Sequence, residues 1–468
     1  MLLVGTMTLP ILLLGATALQ AENPAATTIP IVVTCDWRVE LVGIVFRLSG
    51  RPEYSSPAAA SPIRLAIDEH FALFGDHPVV SEARRLTAER GISFDAPMSF
   101  AVHLQGQRPT DLALFLDPFP ARLDSRWDAS SVDRFLPLLI DFAVKTDFIS
   151  WWEDQQEHRK HLIGEVSARI EKELHLRWLR QFFGLEGKGT ARITLSAVAG
   201  NHSYGTSIAH DRGVELRPVI GIPRSTAAGG AFLLPTIVHE LCHGWVNPLV
   251  DGSWHLFEDA GEKLFHRAET PMRQQAYTSA RIVIAETIVR SVVLRWLLVH
   301  QGRDEAISQL SEEQQKGFRW IQGVVMSLVE YETKRDQYPT FEKFLPVLAA
   351  TIDRLASAEE AAAVARPKIV SISPRPGSKN IPAGRTQLRI EFDQPMAETY
   401  SVTGGGETFP RVIGKPTWND EGTVFTLAIE LEGNRSYAFG VNGPNHHGFK
   451  NRQGIVVEER WIEISTEP

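Results

Sequence analysis

The sequence predicts an α+β fold in which a mostly helical part with a small sheet is followed by an all-β part. Helical spacing of apolar residues recurs along much of the stretch from residue 61 to residue 360. Two alternating runs, at residues 191–197 and 213–222, predict a small sheet in the middle of the helical part. From residue 368 onwards, short alternating segments separated by Pro, Gly and Asn predict a small antiparallel sandwich.

Length and composition set the domain count and the class of protein. The chain has 468 residues, of which 43% are hydrophobic and 22% charged, as expected for globular domains with a real core. We expect a signal peptide at residues 1–21, a catalytic domain at 22–366 and a β-sandwich at 367–468. The net charge of −8 comes without a basic block, which argues against nucleic acid as a partner.

The first 21 residues have the character of a secretory signal. No charged residue occurs between positions 2 and 19, and small residues precede Glu22. This pattern predicts cleavage near Ala18 or Ala21 and export, with no stable membrane span afterwards. A permanent anchor is the alternative, because about 20 apolar residues can span a bilayer.

The segment 213–222 is predicted to be an edge strand. Pro218 interrupts its alternation, and proline is tolerated in sheets mainly at an edge, where its missing N–H is not needed. An extended peptide could pair with residues 214–222 of such a strand. The sequence therefore points to a peptide or protein substrate.

His239 and His243 are the candidate metal ligands. They are four residues apart, so on a helix both project from one face and can bind one cation. Glu240 lies beside them, where it can accept a proton from a metal-bound water that attacks a carbonyl. The surrounding residues 236–245 carry no other charge, and burying two histidines and a glutamate without partners is costly. The spacing predicts a Zn²⁺ site with Glu240 as general base, against the alternative of two hydrogen-bonded core histidines.

A catalytic zinc has three protein ligands, so one more must come from another element. Glu286 is the preferred candidate because its surroundings, RIVIAETIVRSVVL, are almost entirely apolar. Arg290 lies one turn further on, and a simple Glu286–Arg290 ion pair is the alternative. The other candidates lie in polar stretches: Glu258, Glu262, Glu269 and His255.

The group that stabilises a developing oxyanion is the least determined part of the predicted site. Tyr277, Tyr204 and His210 could each supply this help, and their spacing does not decide among them. Tyr277 is the residue that we name as the catalytic candidate.

Three separated segments resemble a family of secreted bacterial proteins with a domain of unknown function, proposed to be gluzincin-type metallopeptidases. The segments are DWRVELVGIVFRLSGRPEY, HELCHGWVNPLVD and YETKRDQYPTFEKFLP, and the resemblance spans residues 30–355. It implies a zincin-like catalytic domain with zinc ligated by His239, His243 and a glutamate in the helix that bears Glu286, and Glu240 as base. Arg290 departs from the thermolysin-like pattern, which has an acidic residue there, so the groups that orient the ligands stay unassigned.

The C-terminal part resembles bacterial Ig-like modules. The segment ISPRPGSKNIPAGRTQLRIEFDQPM carries this resemblance. It implies an Ig-like β-sandwich that acts as a spacer or adhesive appendage.

Together these observations predict a secreted or periplasmic bacterial zinc metallopeptidase. Two alternatives remain open: a zinc amidase that acts on cell-wall material, and a zinc-retaining binding or adhesion protein without turnover. Cleavage preference and oligomeric state are not predicted by the sequence.

Overall fold

The computed structural model describes residues 31–55, 62–114, 122–185, 190–210, 213–222, 233–443 and 446–468. The predicted signal peptide lies outside these residues. The described part is a mixed α+β structure with a β-rich C-terminal region, as the sequence predicted. The chain divides into two compact units, Met1–Ala356 and Ser357–Pro468. Among the described residues, no helix combines the length and the apolar character that crossing a bilayer requires.

The first unit is built mainly from helices, and the last of them continues past its end. In chain order they are α1 (Trp37–Leu48), α2 (Pro52–Ser55), α3 (Pro62–Phe71), α4 (Pro78–Arg90), α5 (Asp95–His103), α6 (Ala129–Lys145), α7 (Phe148–Asp154), α8 (Gln156–Glu173), α9 (Leu176–Phe183), α10 (Leu233–Gly252), α11 (Glu258–Arg267), α12 (Glu269–Gln274), α13 (Ala280–His300), α14 (Arg303–Gln315), α15 (Ile321–Thr333) and α16 (Phe341–Ala365).

A six-stranded sheet lies in this unit, together with a small two-stranded ribbon. Its strands are β1 (Ile31–Thr34), β4 (Thr190–Ser196), β5 (Ser203–Tyr204), β6 (Ser207–His210), β7 (Gly213–Leu216) and β8 (Val219–Gly221), while β2 (Leu104–Gln105) and β3 (Ala113–Leu114) form the ribbon. β4 pairs in parallel with β1 on one side and with β7 and β8 on the other. β5 and β6 then run antiparallel to β8 and β7.

The prediction that residues 213–222 form an edge strand is wrong. β7 and β8 lie between β4 and the β5–β6 pair, so both of their sides are hydrogen-bonded. Pro218 falls between the two strands, and its carbonyl accepts a hydrogen bond from the Thr194 N–H at 2.9 Å. Because proline has no N–H, the pairing with β4 is interrupted at this point without being lost. In the part of the chain that the structure describes, β5 and β6 form one edge of the sheet, here called the outer edge, and β1 forms the other.

The sheet separates two apolar cores, because neighbouring residues of a strand point to opposite faces. Ile220 belongs to the core formed around α10, α13, α15 and α16. Val219, the residue before it, belongs to the core formed around α1, α4, α5 and α6. α13 is buried on nearly every side and packs against α10, α11, α14 and α15. It is therefore a rigid support for any side chain that it directs toward α10.

The second unit contains two antiparallel sheets around one apolar core. Its strands are β9 (Ile369–Ser373), β10 (Gly384–Phe392), β11 (Val402–Thr403), β12 (Arg411–Val412), β13 (Thr417–Trp418), β14 (Val424–Leu431), β15 (Ser436–Val441) and β16 (Arg460–Ser465). One sheet has the order β12–β14–β10–β9, with β13 also on β14, and the other has the order β11–β15–β16. Burial alternates along β14, which is the pattern of a strand with one face in the core.

Candidate metal centre

Helix α10 brings the two predicted histidine ligands together. Pro235 lies in its first turn, where the missing N–H costs nothing. His239 and His243 follow on one face, and their Nε2 atoms are 3.1 Å apart. The helix is fixed by a row of residues buried in the core: Ile237, Val238, Leu241, Cys242 and Val246.

Glu286 reaches the same point from α13. Its Oε1 atom lies 3.3 Å from Nε2 of His243, and its Oε2 atom lies 3.6 Å from Nε2 of His239. Ligand atoms at about 2.0–2.1 Å from a tetrahedral zinc ion are about 3.3 Å from one another. The separation of the two histidine nitrogens and that of His243 from Oε1 are close to this value, whereas the 3.6 Å separation from His239 involves the other carboxylate oxygen, Oε2. The three side chains therefore converge closely enough to hold one cation, and three ligands leave a position open for a fourth. Within the described residues, they form the one group of side chains able to hold a metal.

The other predicted ligand candidates lie elsewhere. Glu258 and Glu262 are exposed on α11, Glu269 is half-buried on α12, and His255 is exposed. None of them belongs to the group that converges on His239 and His243.

Burial and mutual charge set the protonation of the three ligands. Burial lowers the pKa of His239 to about 3, so this imidazole is neutral. Burial also opposes the charge of His243, but the hydrogen bond to Glu286 and its negative charge outweigh that effect and raise the pKa to about 9. Burial raises the pKa of Glu286, but Arg290 and the two histidines hold it well below its usual range. A cation that binds here would displace the proton that His243 shares with the ionised Glu286.

Two further side chains orient the ligands. Nδ1 of His243 lies 3.1 Å from Oδ1 of Asn247, one turn further along α10. An imidazole whose Nδ1–H donates to this amide oxygen directs the lone pair of Nε2 at the centre. Nε of Arg290 donates to Oε2 of Glu286 at 3.0 Å, so the ion pair considered in the sequence coexists with the histidine contacts. Sequence reasoning missed Asn247, although the four-residue spacing from His243 was a usable signal.

Glu240 is buried at the junction of α10 and the outer edge of the sheet. A Cβ atom on Gly205, in the turn between β5 and β6, would lie 2.7 Å from Cβ of His243 and 3.3 Å from Oε2 of Glu240. The absence of a side chain at Gly205 is what allows the turn to pass this close to the helix. Burial raises the pKa of Glu240 to about 7, a value suited to taking up and releasing a proton near neutrality.

The three oxyanion candidates lie on different elements of the first unit. The Tyr277 hydroxyl accepts a hydrogen bond from Nη2 of Arg290 at 2.7 Å, and burial holds the pKa of Tyr277 far above its usual range. Tyr204 precedes Gly205 on β5 and stacks on Tyr54, with ring centroids 6.1 Å apart. His210 lies at the end of β6. The structure thus connects Tyr277 to the ligand Glu286 through Arg290, and places Tyr204 beside the turn that covers Glu240.

Comparison with known proteins assigns the chain to a family without a described function. The model of a family described as "Domain of unknown function (DUF4932)" matches residues 31–351. No protein of curated function is significantly similar to the chain. Two matching solved structures are the crystal structure of the S-layer protein rSbsC(31-844), at 14% identity, and that of surface layer protein SbsC, domains 1–6, at 16%. Each match has a TM-score of 0.17 and covers 49% of this chain and 33% of the other, so the chain spans about a third of those proteins' length.

Proposed function

Since this chain belongs to the family of the domain of unknown function DUF4932, its activity has to be inferred from the site, and we propose that it is an exported zinc metallopeptidase of the gluzincin type. The observation that carries the proposal is the convergence of His239, His243 and Glu286, each of which can direct one ligand atom at a single cation. Export is proposed from the pattern of the first 21 residues.

The donor set favours zinc over magnesium and calcium. Two imidazole nitrogens and one carboxylate oxygen form a frequent ligand set of catalytic zinc, whereas magnesium and calcium favour oxygen donors throughout. Three protein ligands leave a coordination position for water or substrate. When bound, zinc supplies a Lewis acid that polarises a carbonyl and makes a bound water more acidic.

Glu240 has the position and acidity of a general base. It follows His239 directly on α10, and its carboxyl group is buried with a pKa of about 7. In peptide hydrolysis it would take a proton from the attacking water and deliver it to the departing amine. A buried carboxyl group that holds its proton only loosely at neutral pH can perform both transfers.

The outer edge of the sheet supports an extended peptide as substrate. β5 and β6 pair on one side with β8 and β7, and the turn between them packs against His243 and Glu240. A peptide that adds to this edge as a further strand would run past the metal ligands. This assigns to residues 203–210 the role that the sequence had suggested for residues 214–222.

For the C-terminal unit we propose an Ig-like appendage that serves as a spacer or adhesive module. Two antiparallel sheets around one core and the segment ISPRPGSKNIPAGRTQLRIEFDQPM support this assignment.

The test of the proposed activity is digestion of a peptide library by zinc-loaded protein, with and without a chelator. We expect cleavage that the chelator abolishes and added zinc restores. Cleavage that persists in excess chelator would contradict a zinc-dependent mechanism. If the zinc-loaded protein leaves peptides intact but releases fragments from cell-wall material, it is an amidase. Zinc retention without turnover on either material would make it a binding protein.

A further inference from the structure

Arg290 uses all three sides of its guanidinium group. Its Nε atom donates to Oε2 of Glu286 at 3.0 Å, and its Nη2 atom donates to the Tyr277 hydroxyl at 2.7 Å. Its Nη1 atom donates to the carboxylate of Glu313 on α14. The ring of Phe318 covers the group, with its centroid 4.8 Å from the guanidinium carbon. Because guanidinium is a planar fork, anchoring two corners fixes the direction of the third N–H.

Arg290 lies between two buried carboxylates, those of Glu286 and Glu313. The side chains of Arg290, Glu286 and Glu313 are 12%, 7% and 4% exposed, so solvent screens their charges only weakly. The charges of Glu286 and Arg290 cancel each other, and Glu313 adds a second carboxylate to this ion pair. Lys316 also approaches Glu313, at 3.2 Å, but its ammonium group is 42% exposed and largely screened. Without Glu313, the charge of Arg290 would oppose the entry of a cation.

We propose that Arg290 is a positioning residue for the ligand Glu286, and that Glu313 and Tyr277 hold Arg290 in place, with Glu313 also balancing its charge. Arg290 occupies Oε2 of Glu286 and leaves Oε1 facing His243. This inference rests on the proposal that the centre holds zinc. Arg290 thus stands, with the opposite charge, at the position where the thermolysin-like pattern has an acidic residue.

A second buried ion pair on α13 provides a matched control. Arg295 donates to the two carboxylate oxygens of Glu332 on α15 at 2.9 and 2.8 Å. These side chains are 3% and 4% exposed, so the pair is as buried as that of Arg290 and Glu313. Its two hydrogen bonds run between α13 and α15, whereas Arg290 also contacts Glu286. A purely structural ion pair should behave like Arg295–Glu332.

The experiment measures zinc affinity and folding in parallel for the full chain and the variants Glu313→Gln, Tyr277→Phe and Glu332→Gln. Metal-free protein is titrated with zinc against a chromogenic chelator, and thermal unfolding is followed without metal. We expect Glu313→Gln to weaken zinc binding about 10-fold, the lower end of the range for losing a direct partner of a metal ligand, because Glu313 acts on Glu286 only through Arg290. Tyr277→Phe should weaken it in the same direction. Glu332→Gln should destabilise the fold yet leave zinc affinity within about two-fold, because distant sites act independently.

Three outcomes would overturn the inference or its basis. Wild-type zinc affinity in both folded Glu313→Gln and Tyr277→Phe would show that the contacts of Arg290 with Glu313 and Tyr277 do not position Glu286, which overturns the inference. Equal loss of zinc affinity in Glu313→Gln and Glu332→Gln would show that the loss comes from general destabilisation of the fold and not from the positioning of Glu286. If Glu313→Gln does not fold, Tyr277→Phe decides alone, since it removes a single hydroxyl from a half-buried residue. Failure of the wild-type chain to bind zinc would instead refute the proposed function, and this inference with it.

Discussion

Oε1 of Glu286 lies 3.3 Å from Nε2 of His243, although the two residues belong to different helices. This contact depends on the packing of α10 against α13, two helices whose buried faces belong to the same apolar core. Helix α10 supplies only two of the three ligands, His239 and His243, so the third has to come from another helix. The tertiary packing of the first unit is therefore what converts a local motif into a candidate metal centre.

Glu240→Gln is expected to separate catalysis from metal binding. Glutamine keeps the size and shape of glutamate but cannot accept a proton, so turnover should fall by roughly 10²-fold or more. Zinc content should stay at the wild-type level, since Glu240 is not among the three converging ligands. The measurement is the initial rate on a peptide that the wild type cleaves, with metal analysis of the same samples. Glu258→Gln, at an exposed position on α11, is the control, and unimpaired turnover in Glu240→Gln would exclude Glu240 as the base.

Much of the centre could be predicted from the sequence because its signals are local. His239, Glu240 and His243 follow from four-residue spacing on a helix, and Glu286 from a charge in an otherwise apolar run. The structure brings all four residues together. Gly205 and Glu313 could not be found in this way, because their contacts with the site depend on the docking of distant segments. The resemblance to a domain of unknown function is confirmed at the level of the family.

The fold was predictable in class but not in pairing. Alternation indicated strands at residues 191–197 and 213–222, and the structure has β4, β7 and β8 there. The prediction of an edge strand failed because Pro218 indicates only that one backbone N–H is missing, and a single missing donor does not exclude a neighbouring strand. Whether a strand then lies on both sides depends on β5 and β6, whose short, polar sequences carry no strong strand signal.

Gly205→Ala should damage the site more than its small size suggests. The added Cβ would lie 2.7 Å from Cβ of His243 and 2.8 Å from the carbonyl oxygen of Glu240, so the turn or α10 must shift. We expect a loss of about 1–3 kcal/mol in the free energy of unfolding, typical of overpacking, and weaker zinc binding. Gly164→Ala on α8 is the control, because its Cβ meets no atom within 4 Å. That change should be neutral or slightly stabilising. Equal stability of the two variants, measured by denaturant unfolding, would show that the turn does not press on the helix.

Glu40 should make stability fall as pH rises from about 4.5 to about 7. Its carboxylate on α1 accepts hydrogen bonds from the backbone of Ala197 at 2.6 Å and of Val198 at 3.2 Å. Burial nevertheless dominates and raises its pKa from 4.5 to about 7. Between these values the folded state holds a proton that the unfolded state has released. The associated stability is fully present below about pH 4.5 and is lost as pH passes about 7, a change of about 3 kcal/mol.

The measurement for Glu40 is denaturant unfolding of the wild type and Glu40→Gln, without metal, across this pH range. Taking the difference between the two proteins removes titrations that both share. The wild type should lose stability relative to the variant as pH rises. A constant difference would mean that Glu40 has the same pKa in both states.

Residues 22–366 should be soluble and bind zinc when expressed without the rest of the chain. The cut falls just after α16, which ends at Ala365, so no helix is interrupted. The apolar core around α10 and α13 lies wholly within the retained part. Solubility, the circular dichroism spectrum and zinc content relative to the full chain check this expectation. Aggregation of the shortened chain would show that the first unit depends on the residues removed.

Glu286→Ala is expected to weaken zinc binding by more than about 100-fold, beyond the usual cost of losing an outer partner. An ionised carboxylate on the buried face of α13 would cost several kcal/mol without positive partners. Arg290 donates a hydrogen bond to Oε2 of Glu286, whereas Oε1 faces His243. A cation bound beside Oε1 would neutralise the remaining charge of the carboxylate.

Glu258→Ala is the control for this change, since Glu258 lies exposed on α11 and should not affect the metal. Competition with a chromogenic chelator measures both affinities, with circular dichroism to verify folding. Because every ligand must be deprotonated to bind, wild-type affinity should also fall as pH is lowered. Unchanged affinity in folded Glu286→Ala would leave the Glu286–Arg290 contact as a plain ion pair and require a third ligand from outside the described residues.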